Sequence, residues 1–199
     1  MFDRRTFLAG CAALAGCGAT GAALPASPRG LALVAAARRQ IGITLSYDPA
    51  YTRIAFPGGD VARSKGVCTD VVIRAYRDAF AIDLQARVNA DMRRAFGAYP
   101  KKWGLRAPDA NIDHRRVPNL ETFLRRQRAA RPLDNPADFL PGDIVTMRVN
   151  RNLPHIGIVS DRLSLLGRPL VIHNIGSGTR EEDAISAYPP TYHFRWLPA

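Results

Sequence analysis

Apolar residues recur at helical spacing through the first two thirds of the chain. The clearest case is the segment 68–82, where Val72, Tyr76 and Ala79 recur at i, i+4 and i+7 and therefore share one face of a helix. Gly42 closes the first such segment, as glycine commonly does at the end of a helix. The four predicted helices cover residues 31–40, 68–82, 86–96 and 119–128.

The last third of the chain has a different pattern. Short runs rich in valine, isoleucine and leucine alternate with glycine, proline, asparagine and aspartate, which is typical of strands joined by turns. The four predicted strands cover residues 143–149, 155–160, 169–173 and 193–197. Helices followed by clustered strands favour an α+β fold, in which the helices pack on an antiparallel sheet.

The N-terminus has the pattern of a bacterial export signal. Arg4 and Arg5 precede an apolar run that begins at Phe7, the order found in twin-arginine signals. The sequence LAGC, which ends at Cys17, resembles a lipobox, and Cys17 would then become the lipidated first residue of the mature chain. Cleavage near residues 22–26 is the alternative to lipidation, and a buried N-terminal helix is the alternative to a signal.

These features predict the domain organisation and the location of the protein. The apolar run is too short to cross a membrane. We expect residues 1–28 to be signal and linker, and residues 29–199 to form a single domain. The mature protein is expected to be exported to the periplasm or cell envelope, either free or anchored by lipid.

The charge of the chain bears on its partners. The formal net charge is +11, which favours anionic partners such as peptidoglycan and other cell-envelope material. Export argues against nucleic acid as the partner. A solvated basic surface without any partner remains the alternative. We expect a monomer.

One cysteine stands apart from the other two. The chain has three cysteines, of which Cys11 and Cys17 lie in the signal, so that Cys68 is the thiol expected to remain. Cys68 begins a predicted helix, and a helix N-terminus lowers the pKa of a thiol and favours the nucleophilic thiolate. The alternative is a small buried apolar residue, because free cysteine is among the most buried residue types.

Two histidines could complete a catalytic group with Cys68. Cysteine hydrolases need an imidazole that takes and returns a proton, and a third polar group that fixes the orientation of that imidazole. His155 begins one predicted strand, and His173 ends the next, so adjacent strands can bring the two side chains together. Asn174 is a second candidate for the third group. Zinc binding by the cysteine and the two histidines is an alternative, although their spacing is not that of a compact zinc motif.

The order of these residues resembles the NlpC/P60 cysteine peptidases, papain-like enzymes that cut peptidoglycan stem peptides. The resemblance rests on GVCTDVV around Cys68, PGDIV at residues 141–145, HIGI at 155–158 and the polar residue His173. The longer run of GVCTDVVIRAYR, NIDHRRVPNL, PGDIV, HIGIVSD and HNIGSG is similar to a bacterial exported family catalogued as a domain of unknown function. The resemblance implies a papain-like fold, a Cys-His-His triad and no cofactor or metal.

The sequence departs from the peptidase pattern in three places. Thr69 and Asp70 replace the usual Ser-Gly after the cysteine. The interval before PGD is long and indicates a helical insertion at about residues 83–135. Phe56 stands where the peptidases have a tyrosine near the oxyanion, so that this contact is either missing or supplied by Tyr47 or Tyr51.

Four further residues are candidates for binding substrate. Asp70 could bind a cationic group, although it could equally be an acid that favours the helix N-terminus. Arg115 and Arg116 could hold a carboxylate through bidentate hydrogen bonds, or belong to an ion-pair network that fixes the insertion. Asn174 is the fourth candidate.

The sequence therefore leads to two hypotheses. The first is an exported cysteine peptidase or amidase that acts on cell-wall peptide amide bonds, with Cys68 as nucleophile, His155 as base and His173 as orienting group. The second is a binding or scaffold module of the cell envelope that keeps the same fold with an inert thiol. The departures at Thr69, Asp70 and Phe56 favour the second hypothesis.

Overall fold

The computed structural model describes residues 26–135, 138–150 and 152–198. The predicted signal, including the twin arginines and Cys17, lies outside these residues. Helices pack against an antiparallel sheet of six strands, which confirms the predicted α+β class. Within the described residues, no helix is long and apolar enough to span a bilayer.

Of the five α-helices among residues 26–198 that the structure describes, four correspond to predicted ones, with ends shifted by a few residues. The first begins earlier because Ser27 Oγ accepts from Gly30 N at 3.0 Å and caps it. The third begins at Leu84 because Asp83 Oδ1 accepts from Gln85 N at 2.9 Å. The helices are α1 (Pro28–Arg38), α2 (Cys68–Phe80), α3 (Leu84–Ala95), α4 (Val117–Arg126) and α5 (Ala184–Ala187).

In the part of the chain that the structure describes, eight strands form two sheets. The strands are β1 (Ser46–Tyr47), β2 (Lys65–Gly66), β3 (Ala130–Arg131), β4 (Ile144–Val149), β5 (Leu153–Leu163), β6 (Pro169–Asn174), β7 (Thr179–Glu182) and β8 (Pro190–Phe194). The short β1 and β2 pair in parallel, and the other six form the antiparallel order β3-β8-β4-β5-β6-β7. Three of the four predicted strands agree closely with β4, β5 and β6.

The differences from prediction lie in the short elements. The last predicted strand, 193–197, is observed three residues earlier as β8. The sequence pattern missed β7, which reads TREE and has no apolar residue to mark it. It also missed β1, β2 and β3, each two residues long, because an alternation of apolar and polar positions needs a longer run to be recognised.

The sheet has a hydrophobic core on each face. On one face α1 and α2 pack against residues such as Ile156 and Ile158 of β5, which are fully buried. On the other face Val145, Met147 and Val171 form a smaller cluster with Phe139. Because α2 packs directly on β5, its first turn is fixed against the strand that carries His155.

The PGD turn connects several of these elements. Asp143 is fully buried and accepts hydrogen bonds from Arg195 Nε at 2.7 Å and Arg195 Nη2 at 2.8 Å. His193 Nε2 lies 2.7 Å from the same carboxylate. Gly142 has a φ of +89°, and a Cβ there would lie 2.6 Å from Gly30 Cα, so the turn needs glycine on both counts. These contacts fix the start of β4 to β8 and α1.

Residues 83–135, the predicted insertion, contain α3, α4 and the irregular chain between them. A short 3-10 turn, Asp113–Arg115, contacts both α3 and α2. This turn places Arg115 beside the first turn of α2. The segment therefore forms one wall of the region around Cys68.

Candidate active site

Cys68 is the first residue of α2 and is 3% exposed. The residue before it, Val67, has no polar side chain to cap the helix. The cap comes from within the helix, because Asp70 Oδ2 accepts from Val67 N at 2.7 Å. The thiol therefore lies at a helix N-terminus, as predicted, where backbone N–H groups lack partners within the helix.

Tyr47 is the tyrosine that lies beside the thiol. β1 carries Tyr47 and pairs with β2, whose last residue precedes Val67, so the pairing places the phenol at Cys68. Of the other two aromatic candidates, Phe56 is half exposed, and Tyr51 donates its hydroxyl hydrogen bond to Asp109 at 3.1 Å. Although position 56 is phenylalanine and not tyrosine, the site has a tyrosine hydroxyl beside the thiol, and Tyr47 of β1 provides it.

The environment of the thiol differs from the expected one. Burial raises the pKa of Cys68 to about 11. Hydrogen bonds from the backbone N–H groups of Ile156 and Thr69 and from the Tyr47 hydroxyl lower the pKa only in part. The prediction of a lowered thiol pKa is therefore wrong for the resting protein, because desolvation outweighs the helix N-terminus.

His155 and His173 lie together, as their strand positions predicted. His155 Nε2 and His173 Nδ1 are 2.8 Å apart, and both residues are buried. Burial lowers the pKa of His155 to about 3, with a further contribution from His173. Burial also lowers the pKa of His173, although Glu182 opposes that shift. Both rings are therefore neutral at pH 7.

The Cys68 thiol contacts the backbone of β5 next to His155, and not the His155 side chain. The thiol accepts from the N–H of Ile156, the residue after His155. Within the described chain, no direct hydrogen bond joins the sulfur to a His155 nitrogen. Catalytic hydrogen bonds are often long before substrate binds, so this geometry is compatible with a base role. The roles of Cys68, His155 and His173 stay predictions.

Glu182 adds a group that the sequence analysis missed. Its Oε1 lies 3.1 Å from His173 Nε2, at angles outside those of a hydrogen bond. The pairing of Val171 with Glu182 and of His173 with Arg180 makes Glu182 a diagonal neighbour of His173. The sequence gives no signal for Glu182, because β7 has no apolar residue that would mark it as a strand.

Asp70 and Arg115 bind each other across 45 residues of sequence. Arg115 Nε donates to Asp70 Oδ1 and Arg115 Nη2 to Asp70 Oδ2, both at 2.9 Å. Arg115 also donates to the backbone oxygens of Asp48 and Ala50, each at 3.2 Å. These contacts occupy both groups and favour the ion-pair network over direct substrate binding, and substrate contact by either residue stays a prediction.

The departure from Ser-Gly after the cysteine acquires a structural explanation from these contacts. Thr69 Oγ1 donates to the backbone oxygen of Arg115 at 2.9 Å, and Asp70 binds the guanidinium of the same residue. A serine hydroxyl at position 69 could make the first contact, but a glycine at position 70 has no carboxylate to bind the guanidinium. Thr69 and Asp70 therefore join the nucleophile helix to the wall formed by residues 83–135.

Asn174 holds β1 and β2 to the main sheet. Its amide donates to Gly66 O at 3.0 Å and to Ser46 O at 3.2 Å, and its side-chain oxygen accepts from Gly176 N. These contacts use the whole side chain in supporting the strands that carry Tyr47 and precede Cys68. His173, not Asn174, contacts His155, and direct substrate binding by Asn174 stays a prediction.

A cleft of about 250 Å³ opens onto Cys68. Its wall includes Tyr47, Pro154 and the tryptophan Trp103, which is 37% exposed. The Trp103 ring therefore lies in the wall of the cleft and not in a hydrophobic core. The Arg116 guanidinium stacks on Trp103 at 4.1 Å from the ring centroid. Arg116 also pairs with Asp113 at 2.9 Å and lines the cleft. Its contact with substrate stays a prediction.

Among the described residues, no group of three or more histidine, cysteine, aspartate or glutamate side chains could hold an ion. Each of His155 and His173 uses one ring nitrogen to contact the other.

We predict that alkylation of Cys68 by iodoacetamide rises about tenfold per pH unit from about pH 7 to about pH 10, because the thiolate fraction does so below a pKa near 11. Mass spectrometry of the Cys68 peptide measures the rate. Denatured protein is the control, and its rate should level off above about pH 8.5. A plateau in the native protein below about pH 8 would contradict the prediction and indicate a thiolate–imidazolium pair.

The family described as "Domain of unknown function (DUF1287)" matches residues 34–196. A curated relative, "Uncharacterized protein YijF" from Escherichia coli (strain K12), is 53% identical over 168 residues. That match covers 84% of this chain and 82% of the relative. The predicted similarity to a family catalogued as a domain of unknown function is confirmed.

Among solved structures, NlpC1 from Trichomonas vaginalis superposes with a TM-score of 0.47 at 12% identity. The match covers 88% of this chain and 47% of that one, so this chain spans about half the length of that protein. A superposition of this quality does not carry an argument about activity, which depends on the residues of the site.

Proposed function

We propose that this chain, which belongs to the family described as "Domain of unknown function (DUF1287)", is a cysteine peptidase or amidase that acts on amide bonds of cell-wall peptides. The observation that carries the proposal is the convergence of three elements. A thiol at a helix N-terminus, a tyrosine hydroxyl and a pair of hydrogen-bonded histidines meet at one end of β5 and β6. Binding and scaffolding do not require that combination.

In the proposed reaction His155 acts as the general base. The thiol is protonated at rest, so His155 Nδ1 takes the proton while Cys68 Sγ attacks the carbonyl carbon. The carbonyl oxygen becomes negative and accepts from the backbone N–H of Cys68 and from the Tyr47 hydroxyl. His155 then gives the proton to the leaving amine, the C–N bond breaks, and water hydrolyses the resulting thioester.

His173 orients and supports the base. Its Nδ1 holds His155 Nε2 at 2.8 Å and fixes the ring plane. The second nitrogen of the His155 ring is thereby left for the thiol. Arg116, on the cleft wall, is the residue we expect to meet a carboxylate of the peptide.

The raised thiol pKa favours a second candidate, a cell-envelope binding module on the same fold. In that function Cys68 would be a buried structural residue, and the cleft would bind a peptide without cutting it. The two functions differ in one measurement, the release of new amino groups from peptidoglycan fragments.

We predict that His155→Ala lowers the rate of that release by about 100-fold or more, because general bases contribute that much. His173→Ala should cost less, about tenfold, because it removes only the orienting contact. The rates are measured on purified stem-peptide fragments. His114→Ala is the matched control, since His114 is equally buried and belongs to the wall beside α2. The reverse ranking of His155 and His173 would exchange their roles, and no release by the wild type would favour the binding module.

We further propose that the protein is exported and meets anionic peptidoglycan in the cell envelope. The support is the net charge of +11 and a basic surface on and near α3 and α4. The arginines and lysines that are exposed there are Arg93, Arg94, Lys101, Lys102, Arg125, Arg126 and Arg128. Arg126 pairs with Asp91 at 2.6 Å, whereas Lys101 and Arg125 lie over aromatic rings, which do not neutralise their charge.

We predict that the protein sediments with purified peptidoglycan at ~0.01 M salt and is released at ~1 M, because the screening length falls from about 30 Å to about 3 Å. The bound fraction across the salt series is the measurement. Chitin, an uncharged polysaccharide, is the control and should retain little protein at any salt. Retention that ignores salt would contradict an electrostatic attachment.

A further inference from the structure

The two buried histidines are joined by one hydrogen bond, and the position of its proton decides whether His155 can act as a base. His155 Nε2 and His173 Nδ1 are 2.8 Å apart and both rings are neutral, so one nitrogen donates and the other accepts. If His155 Nε2 donates, His155 Nδ1 has a free lone pair. If His173 Nδ1 donates, His155 Nδ1 carries a proton and cannot take another from Cys68.

The same choice fixes the far side of the His173 ring. When His155 Nε2 donates, His173 must carry its own proton on Nε2, because a neutral imidazole holds one N–H. When His173 Nδ1 donates, Nε2 presents a lone pair. The atom that faces Nε2 therefore selects between the two arrangements.

The atom that faces it belongs to Glu182. A carboxylate accepts hydrogen bonds and cannot donate one, and Glu182 Oε1 lies 3.1 Å from His173 Nε2. It attracts an N–H on that nitrogen and repels a lone pair. The Glu182 side chain is 44% exposed, so a small rotation can bring oxygen and nitrogen into line.

We propose that Glu182 is a positioning residue that sets the tautomers of both histidines and so keeps His155 Nδ1 free to accept the proton of Cys68. This inference rests on the proposed hydrolase function. Glu182 acts through His173 and contacts neither thiol nor substrate. When His155 becomes an imidazolium during attack, the carboxylate also stabilises the positive charge through the shared hydrogen bond.

The tautomers can be measured directly in the full chain. Nitrogen-15 NMR separates protonated from unprotonated imidazole nitrogens, and the chain has four histidines to assign. In the wild type we expect His155 protonated on Nε2 and His173 on Nε2. A wild-type His155 that carries its proton on Nδ1 would overturn the inference without any mutation.

The variant Glu182→Gln tests the cause. Glutamine has the same shape, but its amide can donate as well as accept, so it does not select a tautomer. We expect a second population with His155 protonated on Nδ1, and a rate of amide hydrolysis about tenfold lower, the low end for a group that orients a histidine. An unchanged tautomer in this variant would refute the role of Glu182.

Glu181→Gln is the matched control. Glu181 precedes Glu182 on β7 and pairs with Arg38 at 2.6 Å, so its loss removes the same charge without touching the histidines. It should leave both tautomers unchanged. The outcomes also separate this inference from the proposed function. The expected tautomers without any hydrolysis would defeat the proposed function alone, whereas hydrolysis that Glu182→Gln leaves unchanged would defeat this inference alone.

Discussion

Cys68→Ala is expected to abolish the release of amino groups from peptidoglycan peptides while the protein stays folded. Alanine has no nucleophile, and none of the other described residues that line the cleft carries a thiol. The fold should survive, because alanine suits a helix start and the lost sulfur leaves only a small cavity, which costs about 1 kcal/mol. Release of amines and the urea midpoint of unfolding are measured on the same preparation.

The other two cysteines provide the controls for this result. Cys11→Ala and Cys17→Ala remove thiols of the predicted signal and should keep the wild-type rate. Cys68→Ser keeps a hydroxyl, which is a much weaker nucleophile for this base, and its rate should fall by at least ~1,000-fold. Turnover retained in Cys68→Ala would show that Cys68 is not the nucleophile, whatever the stability of the variant.

The parts of the site that the sequence predicted are those encoded by short local patterns. Cys68 at a helix start follows from the apolar spacing after it, and His155 and His173 follow from short apolar runs that are bounded by turn residues. The pairing of the two histidines needs only the assumption that consecutive strands are neighbours, which β5 and β6 satisfy.

The parts that it missed depend on contacts between distant segments. The thiol pKa is set by burial, which is a property of the assembled core and not of the helix start alone. The choice of Tyr47 over Phe56 depends on a strand pairing only two residues long. Glu182 reaches His173 through β7, a strand without apolar residues, so no pattern could have placed it there.

The role of Asp70 also depends on a contact with a distant segment. Its position in the first turn of a helix suggested an electrostatic or substrate-binding role, and the sequence left the two open. The structure adds Arg115, which approaches from a segment 45 residues away and binds both carboxylate oxygens. The network alternative named for Arg115 thus explains both residues, together with the departure from the peptidase pattern at position 70.

Arg115→Met is expected to destabilise the protein by about 3–5 kcal/mol, because it leaves the buried carboxylate of Asp70 without its partner. The side chains of Arg115 and Asp70 are 3% and 4% exposed, so water cannot replace the lost contacts. The change also removes the hydrogen bonds that Arg115 donates to the backbone oxygens of Asp48 and Ala50, which follow Tyr47. Unfolding in urea, analysed at constant m, gives the free energy.

Arg63→Met is the matched control for this last prediction. Arg63 also binds an aspartate, Asp78, through two hydrogen bonds, but its side chain is 47% exposed. Its loss should cost no more than about 1 kcal/mol, the usual value of an exposed ion pair. Adding Asp70→Asn to Arg115→Met should recover part of the stability, since it removes the stranded charge. Equal losses for Arg115→Met and Arg63→Met would show that the buried pair does not fix the wall of the cleft to the nucleophile helix.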